Sequence, residues 1–394
     1  MITVEEAKKI IEENAPAMKP VELSLQDAAG KILAEDVYAT TDIPAFPQSS
    51  MDGYAFSYSE WEQHKTLIVQ GEIAAGSNER ILVGSGKAAR IFTGAPVPPG
   101  ADTVVMQEKT TIVNGELNIQ DDLIRAGTNV RPKGSEMKAG ELALKTGQLL
   151  SAAAVGFLAG LGITKVKAFP GPVISLIVTG KELQQPGKPL EYGQVYESNS
   201  VALAAGLRHL HFDNLKIYMS DDNLEVLTGV LKEALEQSDL VLLTGGVSVG
   251  DYDFVLQAAA NCGVSSLFHK VKQRPGKPLF FGKQEQKLVF GLPGNPSSVL
   301  SCFYQYVLPA LQILSKRNLT LQTIQVPITK SFRKNASLTF FLKGFYDGAS
   351  VSVLDAQESY RLSSFARANC LVQINEDVTE CKEGELVEIH LLPL

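Results

Sequence analysis

Two acidic residues follow directly after a glycine-rich stretch near the middle of the chain. The stretch LLTGGVSVGDYDF runs from Leu242 to Phe254 and ends with Asp251 and Asp253 before the final phenylalanine. Glycines let a ligand approach the backbone closely and free N–H groups bind anions, whereas carboxylates repel them. A divalent cation reconciles the two, because Mg²⁺ is bound by carboxylates together with phosphate oxygens. The stretch therefore predicts a phosphorylated ligand and a metal ion held by Asp251 and Asp253.

Three further loops contain residues that suit an anion. VTGKEL places Thr179, Gly180 and Glu182 after a strand, and RPGKP holds Arg274 and Lys277 around a rigid turn. LPGNPSS opens a helix, whose N-terminus attracts negative charge. The ligand-binding residues predicted in the glycine-rich stretch and in LPGNPSS are Thr244, Gly245, Gly246, Ser248, Gly250, Pro293, Asn295, Pro296 and Ser298. Each loop has a purely structural alternative, namely a tight turn, a solvated charged loop or a capped helix. Their convergence on one sheet edge favours a binding site.

The elements between these loops alternate regularly. Buried-strand patterns (VISLIV, LKIYM, DLVLLT, SLFHKV and KLVFGL) are separated by helical patterns, and a long helix is expected to begin near Asn295. This alternation predicts a doubly wound, mostly parallel sheet over residues 173–316. In such sheets ligands bind beyond the carboxyl ends of the strands, where the four loops lie.

The flanking regions predict additional domains. Residues 46–137 have frequent turn signals and are expected to form an inserted β-rich domain. Residues 1–45 and 138–172 look helical and are expected to form one discontinuous N-terminal, dimerisation domain. Residues 319–394 predict an all-β C-terminal domain. The apolar stretch LLSAAAVGFLAGLGI, from Leu149 to Ile163, is too short to span a bilayer and is interpreted as a buried helix.

Composition excludes several classes of protein. The 394 residues carry a net charge of −7 with 45% hydrophobic residues and no block of Lys or Arg, which argues against a nucleic-acid binder. The four cysteines have no C-x-x-C spacing, which argues against a disulfide framework or a zinc site. We therefore expect a soluble cytoplasmic protein that contacts neither membrane nor nucleic acid.

The order and spacing of seven motifs resemble one family. SSMDGYA, TGAPVPPGADTVVMQE, VRPKGSEM, GGVSVGDYDF, PGKP, GLPGNP and SSFARAN resemble those of the molybdopterin molybdenumtransferases, the family of MoeA and the E domain of gephyrin. The resemblance covers nearly the whole chain and implies the same four-domain layout. It implies the last step of molybdenum cofactor synthesis: adenylylated molybdopterin and molybdate bind, the phosphoanhydride is hydrolysed with Mg²⁺, AMP leaves, and molybdenum joins the dithiolene.

The resemblance also implies roles for individual residues. The catalytic group would be Asp251, Asp253, Asp52, Lys277 and Glu182. Molybdate would be bound by Arg274, Lys277, Ser298, Lys343 and Ser364. Asp52, Thr93, Arg131 and Glu136 match family positions in the inserted domain, which in the family faces the partner subunit's central domain. A homodimer with composite active sites is therefore expected, with molybdopterin adenylyltransferase and recipient molybdoenzymes as possible partners.

Several positions depart from the family pattern, and other functions stay open. Where this chain has Arg274 the family often has Lys, and where it has Lys343 the family often has Arg. Where it has Glu136 the family commonly has Asp. Val178 stands where the family usually has a hydroxyl side chain, and Lys181 where it usually has an acidic one. Asp52 could simply cap a turn, and Thr93 could serve only its own loop. One alternative is a non-catalytic scaffold that binds molybdopterin or a partner peptide on the same fold. Another is a different nucleotide-phosphate hydrolase.

Overall fold

The described chain divides into two compact units. The structure is a computed structural model, and it describes residues 1–78, 80–246, 254–335 and 337–393. One unit contains Met1–Val21, Gly30–Ile32 and Phe169–Leu394; the other contains Glu22–Ala29 and Leu33–Ala168.

The helices begin where side chains can cap them. Thr3 and Glu6 form a capping box at the first helix, in which each side chain accepts a hydrogen bond from the other residue's backbone N–H. The α-helices are α1 (Val4–Asn14), α2 (Leu25–Ala28), α3 (Tyr58–His64), α4 (Ala152–Gly160), α5 (Asn199–His209), α6 (Leu224–Gln237), α7 (Phe254–Asn261), α8 (Pro296–Cys302) and α9 (Leu308–Ser315). A π-helix, Phe303–Val307, joins α8 to α9.

The strands fall into three successive groups. The first group is β1 (Val21–Ser24), β2 (Ile32–Leu33), β3 (Val37–Tyr38), β4 (Gln48–Ser49), β5 (Gly53–Phe56), β6 (Thr66–Ile73), β7 (Lys87–Ile91), β8 (Thr103–Met106), β9 (Thr110–Val113), β10 (Glu116–Ile119), β11 (Val130–Arg131), β12 (Leu142–Leu144) and β13 (Lys165–Phe169). The second group is β14 (Ile174–Thr179), β15 (Leu183–Gln184), β16 (Val195–Tyr196), β17 (Leu215–Ser220), β18 (Leu240–Thr244), β19 (Ser265–Lys270), β20 (Gln273–Arg274), β21 (Pro278–Gln284) and β22 (Lys287–Leu292). The third group is β23 (Thr323–Pro327), β24 (Phe332–Arg333), β25 (Thr339–Tyr346), β26 (Val351–Val353), β27 (Cys370–Ile374), β28 (Glu380–Cys381) and β29 (Leu386–Leu391).

The central sheet has the order β17-β14-β18-β22-β21-β19. Its first four strands are parallel, and β21 and β19 continue it antiparallel. Successive residues of β18 face opposite sides: Leu242 packs in the core that contains α9, and Leu243 in the core that contains α6. The predicted doubly wound, mostly parallel sheet is confirmed. Sequence analysis missed β21, because its apolar run follows a turn directly, with no helix between it and the preceding strand.

The C-terminal region forms a second sheet in the same unit. Its order is β20-β25-β27-β29-β23, with β26 paired to β25. The all-β interpretation of this region agrees with its described strands. Strand β20 comes from the central part of the chain and pairs in parallel with β25, with Arg274 opposite Phe340. The loop that contains Arg274 and Lys277 is therefore attached to the C-terminal sheet.

The other unit is built around a sheet of order β8-β5-β7-β6-β10-β9. All of its strand pairs are antiparallel except β6 with β7. Two small apolar cores lie in this region, one around Ala55, Ile73 and Val104, the other around Phe56 and Val105. This agrees with the β-rich character expected for residues 46–137, although α3 is also present. The domain boundaries themselves stay a prediction.

Two expectations about the helical segments were wrong. Residues 1–45 and 138–172 are not mainly helical, because they also form β1, β2, β3, β12 and β13. Helix α1 buries Val4, Ala7 and Ile11 in the same core as α9, so it packs with the unit of the central sheet. Helix α4 was expected to be buried, yet Leu158 is its one buried residue; Val155 and Phe157 are half-buried, and its exposed residues are alanines and glycines.

One helical run combines great length with apolar composition. Pro296–Ser315 is the one helix of the described residues that passes a length and hydropathy test for a membrane span. In this structure 72% of that apolar window is buried inside the protein, against the central sheet. Its apolarity is accounted for by the protein core.

Candidate active site

Three predicted ligand-binding loops meet at the carboxyl edge of the central sheet. Strands β14, β18 and β22 are neighbours and parallel, so the loops after Thr179, Thr244 and Leu292 emerge side by side. Gly245 lies so close to the first strand that a Cβ there would stand 2.4 Å from the carbonyl oxygen of Thr179. Gly294 in turn approaches the Cα of Gly245. Gly245 is therefore required by close packing between these loops, whereas a Cβ on Gly294 would lie 3.7 Å from the Gly245 Cα, an ordinary contact distance.

A first cavity of about 480 Å³ lies beside the RPGKP turn. Arg274, Lys277, Pro293, Asn295 and Ser298 all line it, as the sequence predicted. The cations are exposed, and within the described residues neither forms a salt bridge; Glu358, which also lines the cavity, is paired with Arg361. The Arg274 guanidinium stacks 5.5 Å from the Phe340 ring centroid. Two free cations beside a helix N-terminus make this cavity suitable for an oxyanion.

A buried hydrogen-bond network fixes the RPGKP turn from beneath. The Gln273 side chain is buried and donates to the Gly276 carbonyl oxygen at 2.9 Å. The Tyr306 hydroxyl donates to the Gln273 amide oxygen. Cys302 lies against the same turn, and burial raises the pKa of its thiol to about 12. The neutral thiol and the buried amide therefore hold the turn in place without contributing charge.

Lys343 and Ser364 do not line the first cavity in this structure. Lys343 is 2% exposed, and its ammonium donates to the carbonyl oxygens of Ala356 at 2.8 Å and Arg361 at 3.1 Å. The Ser364 hydroxyl donates to the same Ala356 oxygen at 2.8 Å. Burial lowers the pKa of Lys343, although the nearby Glu358 carboxylate opposes this shift. These two residues hold the loop 356–361 in place, and the molybdate contacts that the resemblance implies for them stay a prediction.

Replacement of Lys343 by methionine is expected to destabilise the fold and to weaken anion binding indirectly. The change leaves several carbonyl oxygens without a donor, so the free energy of unfolding should fall by about 2–3 kcal/mol. Urea denaturation and a phosphate titration would measure the two effects. Lys283→Met serves as a control, since Lys283 donates to the Asn14 carbonyl oxygen and lines neither cavity. A loss of anion affinity with unchanged stability would instead indicate that Lys343 contacts the anion directly.

A second cavity of about 530 Å³ lies on the other side of the LPGNP loop. Thr179, Glu182, Gly245, Asn295 and Pro296 line it and were all predicted from the sequence. Gly294 and Asn295 line both cavities, which places the two beside one another. A ligand with an anionic end and a larger polar body can therefore extend from the first cavity into the second.

Sequence analysis missed several residues that line the second cavity, among them Glu197, Asn199 and Tyr360. The Glu197 carboxylate accepts from the Ser200 N–H at 2.8 Å and from its hydroxyl at 2.6 Å. Asn199 donates to the Gly294 carbonyl oxygen at 2.8 Å. The pattern E-S-N-S at the start of α5 was a usable signal, because the Glu197 carboxylate accepts from an N–H in the first turn of the helix. Tyr360 carried no comparable signal.

The glycine-rich stretch is described only at its beginning. Thr244 is 1% exposed, and its hydroxyl has no hydrogen-bond partner within the described residues. Gly245 and Gly246 have φ values of +84° and +64°, in the left-handed region that favours glycine. The predicted residues Ser248, Gly250, Asp251 and Asp253 lie outside the described residues.

The described donors suit a hard cation. Across residues 1–246 and 254–393, where described, no group of three or more His, Cys, Asp and Glu side chains could hold a metal ion. The second cavity nevertheless contains the carboxylates of Glu182 and Glu197 and the buried amide oxygen of Asn199, which has no partner in the described structure. Oxygen donors of this kind match the ligand preference of Mg²⁺, whereas zinc favours nitrogen and sulfur.

The predicted residues of the other unit group around β4. Asp52 accepts two hydrogen bonds from Thr93, one from its N–H and one from its hydroxyl, both at 2.7 Å. These bonds, the backbone one first, lower the pKa of Asp52. Arg131 lies opposite Gln48 in the antiparallel pairing of β11 with β4. Glu136 is exposed and its N–H donates to the Ile43 carbonyl oxygen at 3.0 Å. Asp52 thus has a turn-capping role and keeps an exposed, ionised carboxylate.

Family models match three successive parts of the chain. The MoeA N-terminal region, domains I and II, matches residues 2–162. A probable molybdopterin-binding domain matches residues 175–313 and so contains the sheet edge described above. The MoeA C-terminal region, domain IV, matches residues 325–392.

Full-length relatives carry one consistent name. A molybdopterin molybdenumtransferase from Haemophilus influenzae is 34% identical over 404 residues, covering 100% of each chain. One from Staphylococcus aureus is 33% identical and covers 99% of this chain and 95% of its own. The molybdopterin biosynthesis MoeA protein from Pyrococcus horikoshii is similar in structure, with a TM-score of 0.82, 29% identity and 99% coverage of both chains. The resemblance predicted from the seven motifs is thus confirmed: the chain belongs to the molybdopterin molybdenumtransferase family.

Proposed function

We propose that this protein inserts molybdenum from molybdate into adenylylated molybdopterin, with hydrolysis of the phosphoanhydride and release of AMP. The observation that carries this proposal is the first cavity, where Arg274 and Lys277 are free of salt bridges among the described residues and lie beside a helix N-terminus. Membership in a family whose relatives are named for molybdenum transfer supports the reaction class. The second cavity supports a ligand with a large polar body.

The residues would divide the work between charge and positioning. Arg274, Lys277 and the Ser298 hydroxyl would bind molybdate and phosphate oxygens in the first cavity. Thr179, Gly245 and the glycine-rich stretch would hold the substrate at the edge of the sheet. Their fixed donors would stabilise the negative charge that develops as the phosphoanhydride bond breaks.

Asp251 and Asp253 would hold Mg²⁺, and Glu182 lies in the cavity where it could orient a water molecule. A bound Mg²⁺ ion would neutralise phosphate charge and favour attack by water. The carboxylates of the glycine-rich stretch would then bind the metal ion, and the cations of the RPGKP turn would bind the anion. This division would explain why the site contains both acidic and basic residues.

A direct assay tests the reaction. Purified protein is mixed with adenylylated molybdopterin, Mg²⁺ and molybdate, and AMP is followed by chromatography. We expect AMP release that requires both molybdate and Mg²⁺. AMP release without molybdate would favour a nucleotide-phosphate hydrolase, and tight molybdopterin binding without AMP release would favour the scaffold alternative.

Lys277→Ala is expected to raise the molybdate concentration needed for half-maximal AMP release. Loss of one cation from an oxyanion site should cost about 1.5–3 kcal/mol of binding, roughly a 10- to 150-fold change. Stability should hardly change, because Lys277 is exposed. Lys272→Ala is the matched control, since Lys272 is five residues away and lines neither cavity. An unchanged molybdate dependence in Lys277→Ala would assign this lysine to the turn alone.

We also propose a homodimer whose active sites combine residues of both subunits. The exposed apolar surface of α4 supports self-association, because alanine and glycine allow close packing between helices. Asp52 supports the composite site: it is exposed and ionised, and its sequence position matches a family position that faces the partner subunit. A two-fold dimer would contain two such sites.

Mixed dimers are expected to regain activity that each variant lacks. Asp52→Asn keeps an oxygen acceptor for Thr93 but removes the charge, and Asp253→Asn alters the other half of the proposed site. The two chains are produced together with different tags, and mixed dimers are isolated through both. If sites are shared, one site carries both changes and the other carries none, so about half of the wild-type activity should return. Inactive mixed dimers would place each complete site within one chain.

Compartment and protein partners follow from the proposed reaction. Adenylylated molybdopterin is a product of molybdopterin adenylyltransferase, so that enzyme and the recipient molybdoenzymes are the proposed partners. A cytoplasmic location fits the scattered, reduced cysteines. Cell fractionation with an antibody against the protein would test this location.

A further inference from the structure

Tyr360 stands where the first and second cavities meet. It lines both of them, together with Gly294 and Asn295. Tyr360 is 59% exposed although it lines two cavities. Tyr360 is therefore one of three residues that a ligand extending from one cavity into the other can contact in both.

The backbone that carries Tyr360 is held firmly. The Ser297 N–H donates to the Ser359 carbonyl oxygen at 3.1 Å, and the Asn295 amide donates to the Ser359 hydroxyl at 2.8 Å. Lys343 fastens the same loop from beneath through Ala356 and Arg361. The tyrosine is therefore exposed on a positioned loop, and little order must be gained when a ligand binds it.

One face of the ring already has a partner. The Arg361 guanidinium lies 5.6 Å from the Tyr360 ring centroid and is itself paired with Glu358 at 3.1 Å. Cation–π contact and the salt bridge limit the positions that the ring can adopt. The exposed part of a ring held in this way suits a second flat group.

We propose that Tyr360 stacks on a planar heteroaromatic ring of the ligand, adenine or pterin, while the ligand's phosphate lies against Arg274 and Lys277. The inference rests on the proposed function, since adenylylated molybdopterin contains both rings. Tyr360 would then determine specificity by favouring ring-bearing over ring-free phosphate esters. Its hydroxyl is not needed for stacking, so phenylalanine should replace it.

Two pairs of compounds test the proposal by calorimetry. AMP is compared with ribose 5-phosphate, and neopterin phosphate with glycerol phosphate, so that each pair differs by the ring. We expect the wild-type protein to bind at least one ring-bearing compound more tightly than its partner. Tyr360→Ala should weaken that binding at least about fivefold and leave the ring-free compounds unchanged. Tyr360→Phe should retain the wild-type preference, and the pair that responds identifies the ring.

Tyr196 supplies the matched control, because it also lines the second cavity but its hydroxyl donates to the Lys188 carbonyl oxygen at 3.0 Å. Loss of ring preference in Tyr196→Ala but not in Tyr360→Ala would overturn the proposal. Equal weakening of ring-bearing and ring-free compounds would overturn it too, because Tyr360 would then only support the loop. So would a wild-type protein without ring preference. Since no turnover is measured, absence of AMP release would contradict the proposed function without affecting this result.

Discussion

Asp253→Asn is expected to lower the rate of AMP release by about a hundredfold or more. The change keeps the size of the side chain and removes the charge that would hold Mg²⁺ or orient water. Asp253 directly precedes α7 in sequence, nine residues after the end of β18, the strand that ends at the candidate site. Substrate affinity should change little, because the cations of the first cavity are unaltered. Single-turnover AMP release and equilibrium binding would separate the two quantities.

The control for this variant is Asp222→Asn. Asp222 follows β17 of the same sheet but lines neither cavity. The Asp222→Asn variant should therefore release AMP at the wild-type rate. Near-normal AMP release by Asp253→Asn would remove this carboxylate from the catalytic group. A loss confined to substrate affinity would make it a binding residue.

Gly276→Ala is expected to destabilise the fold by about 2–4 kcal/mol and to disrupt the first cavity. Gly276 has a φ of +80°, which an alanine adopts at a cost, and an added Cβ would lie 2.5 Å from the Cys302 sulfur. The buried Gln273 side chain, 3.1 Å from that Cβ, leaves little room on its side. The turn must therefore shift, and Arg274 and Lys277 shift with it. Urea denaturation would measure the stability, and a phosphate titration the affinity.

A second substitution isolates the clash from the backbone strain. Cys302→Ala removes the sulfur, so Gly276→Ala should cost about 1 kcal/mol less in that background than in the wild-type protein. The remaining cost would come from the positive φ. An equal cost in both backgrounds would show that contact with Cys302 is not the reason that glycine is needed.

The parts of the fold that the sequence predicted are those encoded by local patterns. Strand β18 is a continuous buried run, and α6 begins at Asn223, whose side chain accepts from the N–H groups of Glu225 and Val226. Such elements depend on neighbouring residues and on burial, so they can be read without the tertiary structure. The parallel order of the sheet then places the loops at one edge, which is why several cavity residues, among them Arg274, Lys277 and Glu182, were predicted.

The missed features depend on contacts between distant residues. The pairing of β20 with β25 joins residues 66 positions apart, Gln273 with Thr339, and no local pattern encodes it. Lys343 was expected at molybdate from the family resemblance, and no local pattern indicated that its ammonium donates to carbonyl oxygens 13 to 18 residues later. Tyr360 is an ordinary loop residue until the two cavities are seen to share it. Residue type predicts available chemistry, and the fold decides which partner uses it.

The pairing of β20 with β25 constrains how this chain can exchange parts with its relatives. A recombinant that takes residues up to about 320 from one parent and the remainder from another would inherit the two strands from different sources. Arg274 would then meet a foreign residue in place of Phe340, whose ring it contacts here. Evolutionary change at β25 would consequently alter the anion cavity without any substitution in the RPGKP turn. The C-terminal sheet and the central loop should therefore diversify together across the family, although 64 residues separate the two strands in the chain.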